Sequence, residues 1–157
     1  MDSDLTLDFI IIVVLIIANG LFSMTELAIV NAKKRKLEEL AEAGNERAKK
    51  AFELAENPNN MFSTIQIGIT LVGILTGLYS GATFSGPLEE ILVANIPSIE
   101  PYAASLSSLL IVTVITYLSL VIGELVPKRL ALNSPESIAV VAVSYTHLRA
   151  HETEADL

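Results

Sequence analysis

The chain has 157 residues, room for about one domain, and only 18% of them are charged, against roughly 25% in an ordinary soluble domain. It is 52% hydrophobic with a formal net charge of -8 and a mean hydropathy of +0.55, which excludes a disordered chain and, with no basic face, a nucleic-acid partner. Zero cysteines exclude disulfides, thiolate metal sites and a cysteine nucleophile; with two histidines, both near the C-terminus, and no nucleophile–base set in view, an enzyme is not expected.

In chain order, the first element is a nearly unbroken apolar run from Phe9 to Val30, interrupted by Asn19, Ser23, Thr25 and Glu26. As a helix it covers roughly 33 Å, enough for a bilayer core of about 30 Å. A signal peptide would open with a basic segment. Here Asp2, Asp4 and Asp8 precede the run and Lys33-Lys34-Arg35-Lys36 follows it, so the run reads as a membrane span. The next segment, 33–56, is rich in Ala, Leu, Glu and Lys, which favour helix. Leu37, Leu40, Ala41, Ala48, Ala51, Phe52 and Ala55 recur at helical spacing around Gly44-Asn45. That pattern predicts one or two amphipathic helices along the membrane surface. Asn57-Pro58-Asn59-Asn60 is a turn.

Met61 to Ala82 is a second apolar run and Ala103 to Val126 a third. Between them, Gly86-Pro87 and Ile96-Pro97 predict a loop with a short helix near 88–93. The fold class is therefore an all-α membrane protein with three transmembrane helices, at about 9–30, 61–82 and 103–126, and amphipathic juxtamembrane helices. Asn133-Ser134-Pro135-Glu136 reads as a further helix start, and the apolar stretch after it stops at Val143. Residues 144–157, SYTHLRAHETEADL, change composition and read as a non-native tail. The expectation is a 1–143 transmembrane domain cut from a longer protein.

Charge sets the expected topology. Lys33, Lys34, Arg35, Lys36, Arg47, Lys49 and Lys50 lie between the first two runs, and Lys128 and Arg129 follow the third. The 83–101 segment has none, and carries Glu89, Glu90 and Glu100. The positive-inside rule puts the N-terminus outside, the basic segment inside, the acidic loop outside and the C-terminus in the cytosol of a multi-pass cell-membrane protein. Gly73, Gly77 and Gly81 form a small-residue stripe that predicts close helix packing, within the protomer or across a homodimer.

Polar groups inside spans are costly and mark function by default. Asn19, Ser23 and Glu26 fall at i, i+4 and i+7 of the first helix; Ser63, Gln66 and Thr70 stripe the second; Thr113, Tyr117 and Glu124 share a face of the third. Thr25, Thr76, Thr113 and Thr116 are expected only to bond backbone. Glu124 sits in Gly123-Glu124-Leu125-Val126-Pro127. Pro127 has no N–H for the carbonyl four residues back, so the Gly123 oxygen is expected to lie bare beside a carboxylate. Oxygen ligands suit a hard cation, and the absence of nitrogen or sulfur ligands disfavours zinc and copper. Mg²⁺, Ca²⁺, Na⁺ and a proton remain open on this ground.

Asn19-Gly20-Leu21-Phe22-Ser23-Met24-Thr25-Glu26, Ile67-Gly68-Ile69-Thr70-Leu71-Val72-Gly73 and Gly123-Glu124-Leu125-Val126-Pro127-Lys128 resemble, in order and spacing, the three helix motifs of the CNNM/CorC (hemolysin-like) membrane domain. The resemblance implies a magnesium transporter or efflux protein, homodimeric, with Na⁺ as a coupling ion in some members. It also implies a cytosolic CBS-domain pair in the full-length parent. It assigns ion-site roles to Ser23, Gly123 and Glu124. Asn19 stands at a position often serine in the family. The family's second-helix Asn pair is here Ile69 and Gly73, with Gln66 and Thr70 as the nearby replacements. The expected metal-site set is thus Glu124, Gly123, Ser23, Asn19, Gln66, Thr70 and Glu26. The alternative is a membrane anchor, dimerisation or sensor domain that moves no ion.

Overall fold

The computed structural model describes residues 2–143; the tail expected over 144–157 lies outside the described residues. These are helical, with no strand among them. The order is α1 (Asp2–Asn31), α2 (Lys34–Glu42), α3 (Glu46–Glu56), α4 (Asn59–Asn95), a 3₁₀ turn (Pro97–Ile99), α5 (Glu100–Leu120), a π-helical turn (Val121–Leu125) and α6 (Val126–Asn133). A helical stretch over 135–143, α7, follows. Three segments, Leu5–Asn31, Asn59–Asn95 and Pro97–Asn133, are long and apolar enough to cross a membrane.

The expected loop after the second span is shorter than its sequence implies. α4 continues through Pro87 to Asn95, 37 residues or about 55 Å. Pro87 removes one donor, but the following Leu88 to Ala94 is a run of mostly good helix formers. What ends α4 is Pro97. A residue before proline is pushed out of the α region, and Ile96 takes φ -137° and ψ 76°.

The described chain falls into two compact units. The first combines Met1–Gly20 with Gly68–Leu125. Its buried positions are mostly small or hydroxylated: Thr76, Ser80, Ala103, Ser107 and Gly123 beside Ile12 and Ile16. Most of the hydroxyls turn back on their own helix. Thr76 donates to Val72, Ser80 to Gly77, Ser107 to Ala104 and Thr113 to Leu109. Thr25, in the second unit, does the same to Leu21. Side-chain bonds also join different helical segments of the first unit: Tyr79 Oη donates to Asp8, and Asn19 donates to Gly123. The glycine stripe is open among the described residues. A Cβ at Gly73, Gly77 or Gly81 would meet no atom within 4 Å.

The second unit combines Leu21–Ile67 with the chain from Val126 onward. Its core is Ala28, Ile29, Ala32, Leu37, Ala51, Ala131, Ala139 and Val143. Alanine lets helices approach closely, and Leu37, 0% exposed, fills the space. α2 ends as a Schellman motif. Gly44 has φ +95°, its N–H donates to Ala41, and the Asn45 N–H reaches Leu40. Asn45 then caps α3, its Oδ1 accepting from the N–H groups of Arg47 and Ala48 at 3.1 Å each. The two predicted amphipathic helices are thus present, but their apolar residues pack on protein. Leu40 is the one large apolar side chain of α2 and α3 left exposed.

Candidate cation site

The third span changes pitch where its motif begins. Proline cannot donate to the carbonyl four residues back and its ring crowds that oxygen. Ahead of Pro127 the helix widens into a π turn over Val121–Leu125, a form that recurs at functional sites. Gly123 and Glu124 lie inside this turn. Pro127 is the one local signal of the π turn that the residues carry.

The Gly123 oxygen is not bare, as the sequence had led one to expect. Asn19 Nδ2 donates to it at 3.1 Å. A carbonyl only accepts, so the amide nitrogen must face it and Asn19 Oδ1 points elsewhere. That Oδ1 is buried and has no hydrogen-bond partner. Gly123 makes the approach possible: a Cβ there would lie 3.1 Å from Asn19 Nδ2 and 3.2 Å from the Ile16 oxygen. The sequence named Asn19 and Gly123 separately. Their bond occupies one lone pair of the Gly123 carbonyl and fixes the orientation of the Asn19 amide.

The expected site residues divide between the two units. In the first, Asn19 and Gly123 are bonded, Glu124 follows Gly123 and is half-buried, and Thr70 is exposed on α4. In the second, Ser23 is 1% exposed and its Oγ is buried without a partner, Glu26 is half-buried and Gln66 is exposed. No group of three or more His, Cys, Asp or Glu able to hold a metal occurs among the described residues. Of the expected site residues, the first unit therefore holds one carboxylate, Glu124, with the neutral groups of Asn19, Gly123 and Thr70.

Sequence reasoning overlooked a buried carboxylate outside the spans. Glu136, 7% exposed, accepts from the Lys33 N–H at 3.4 Å and lies 3.5 Å from Lys36 Nζ. Its own backbone N–H holds its carboxyl below the usual carboxylate range; burial opposes this, and the Lys33 N–H and the Lys36 charge reinforce it. α2 has no side-chain cap of its own and no acidic residue in its first turn. Glu136 supplies negative charge there, where the helix dipole favours it. A buried position at the second residue after Ser134, in a helix opened by Pro135, was the available signal.

Three apolar helices, a lipid-style interior and an oxygen-lined π turn define a multi-pass helical membrane protein. The chain belongs to the CNNM family: residues 10–149 match the Cyclin M transmembrane N-terminal domain. It is 53% identical over 151 residues to a UPF0053 protein of Synechocystis sp., covering 96% of this chain and 34% of that protein. It is 34% identical over 131 residues to the polyamine export protein of Escherichia coli (strain K12), covering 83% and 29%. With the polyamine export protein of Haemophilus influenzae it shares 30% identity over 134 residues, covering 84% and 30%. The chain spans about a third of the length of the curated relatives it matches. Export-protein names among them connect this membrane domain with transport.

Proposed function

We propose that the chain is the membrane module of a cation-efflux protein, with Mg²⁺ as cargo and Glu124 as the anionic ligand. The observation that carries the reading is the oriented, unpartnered Asn19 Oδ1 beside a carboxylate-bearing π turn. Mg²⁺ takes near-octahedral oxygen ligation at roughly 2.0–2.1 Å and keeps several waters. One carboxylate, one amide oxygen and retained water fit that demand without binding so tightly that release fails. Ser23, buried and unpartnered in the second unit, is a separate polar group of the same reading, with Glu26, Gln66 and Thr70 as outlying members. Na⁺ is the coupling ion, the basic 33–50 segment is cytosolic by the positive-inside rule, and the assembly is a homodimer through the open Gly73, Gly77 and Gly81 face.

A second cargo is favoured by the 34% identity to a polyamine export protein. A polyamine presents ammonium groups, which need the same acceptor oxygens. Flux assays in proteoliposomes bearing the protein, with Mg²⁺ and spermidine offered separately, decide between them. Mg²⁺ movement lost in E124Q supports the first reading. Spermidine movement alone, lost in E124Q, replaces Mg²⁺ by polyamine. No cation movement by the folded parent supports an anchor or sensor role instead.

A further inference from the structure

We propose that Lys33, Lys34 and Arg35 form a docking patch for the headgroups of anionic phospholipids. Covalent geometry places the patch. The first span ends at Asn31, so Lys33 follows two residues later, at whichever leaflet surface that span reaches. Lys33 to Lys36 are all exposed. Four basic residues directly beside a span are the pattern that attracts anionic lipid.

The pairing of these charges leaves the patch positive. Lys36 is taken by Glu136 at 3.5 Å. Arg35 meets Glu39 at 3.3 Å, with side chains 89% and 63% exposed, a surface pair that contributes little. The side-chain ammonium groups of Lys33 and Lys34 have no acidic partner among the described residues; the Lys33 backbone N–H is the group that donates to Glu136. α2 has no acidic residue in its first turn, so Glu38, Glu39 and Glu42 sit beyond it. Glu136 offsets the N-terminal end of the helix dipole, so the surplus positive charge is that of the Lys33 and Lys34 side chains.

Packing excludes the usual alternative for an amphipathic helix, insertion of its apolar face into lipid. Leu37 is 0% exposed and belongs to a protein core with Ala28, Ala51, Ala131 and Ala139. Attachment of α2 to the membrane is therefore electrostatic. It requires an anionic headgroup and weakens with salt.

The test uses the purified chain in a nonionic detergent, titrated with phosphatidylglycerol and read by native mass spectrometry. The variants are K33Q/K34Q and R47Q/K49Q, which lose equal charge at the patch and on α3. Circular dichroism checks helicity, and K34Q alone serves if the double variant unfolds. K33Q/K34Q binds phosphatidylglycerol roughly thirtyfold more weakly than the parent, and K34Q about fivefold. R47Q/K49Q stays within about twofold. Salt weakens parental binding, and phosphatidylcholine does not compete. Equal binding by K33Q/K34Q and the parent overturns the proposal, as does equal loss in R47Q/K49Q. Equal occupancy by phosphatidylcholine, or by glycerol 3-phosphate free in solution, overturns it too.

Discussion

The two units of this chain are stabilised by different rules. In the first, large apolar residues such as Leu71, Leu78, Leu109 and Val114 stay exposed, while Thr76, Ser80 and Ser107 are buried. Lipid already solvates apolar side chains, so close contact and satisfied polar groups must hold such helices together. In the second, Leu37 and a set of alanines are enclosed and the helix ends are capped in the manner of a soluble protein. Polar residues accordingly carry different weight in the two. A buried polar atom without a partner, such as Asn19 Oδ1 in the first unit, is the kind of group on which the proposed cation site rests. A buried carboxylate with partners, such as Glu136 in the second, points to architecture.

The largest effect should come from breaking the enclosed core. L37A removes a fully buried side chain and should cost about 2–5 kcal/mol, read as a lower thermal midpoint in detergent. A comparable truncation of exposed Leu78 should cost far less, and equal losses would erase the contrast. Next, G123A drives a methyl group against Asn19 Nδ2 and the Ile16 oxygen. Overpacking of this kind costs about 1–3 kcal/mol. It should lower the midpoint and weaken cation binding together. Unchanged values for both would mean that the Asn19–Gly123 contact has no role.

E136Q sharpens the other side of the comparison. The native carboxyl titrates below its unfolded value of 4.5, so its charge stabilises the fold above that pH. That contribution disappears as pH falls through the depressed folded value. The gap in midpoint between parent and E136Q should be widest near neutral pH, narrow as pH falls below 4.5 and close once pH passes the depressed folded value. A gap independent of pH would show that the carboxylate's charge does not matter. The smallest effect on the isolated chain belongs to G77L. A Cβ at Gly77 meets no atom within 4 Å among the described residues, so the monomer should keep its midpoint while crosslinked dimer yield falls. An unchanged yield removes that face from the assembly.

Much of this was legible in sequence, and the reasons differ by region. The spans follow from run length, since lipid admits only helices or closed barrels. The α2–α3 hairpin was legible because Gly44 and Asn45 carry local chemistry, a left-handed turn and a cap. The continuation of α4 through Pro87 was not, because one lost hydrogen bond competes with the propensity of the residues after it. The covering of the amphipathic face was hidden as well. Periodicity shows that Leu37 and Leu40 share a face of α2 and that Ala48, Ala51 and Ala55 share one of α3, but not whether lipid or α6 and α7 meet them. Within the candidate site, residue types indicated oxygen ligands. The Asn19–Gly123 bond joins positions 104 apart in sequence, and no local pattern reports that.

Cation flux through Glu124 tests the central claim most directly. Proteoliposomes bearing the parent should release Mg²⁺ down an imposed gradient. Those bearing E124Q, equally folded by circular dichroism, should release it no faster than empty vesicles. Equal Mg²⁺ flux in parent and E124Q would contradict the assignment of the π-turn carboxylate as the ligand.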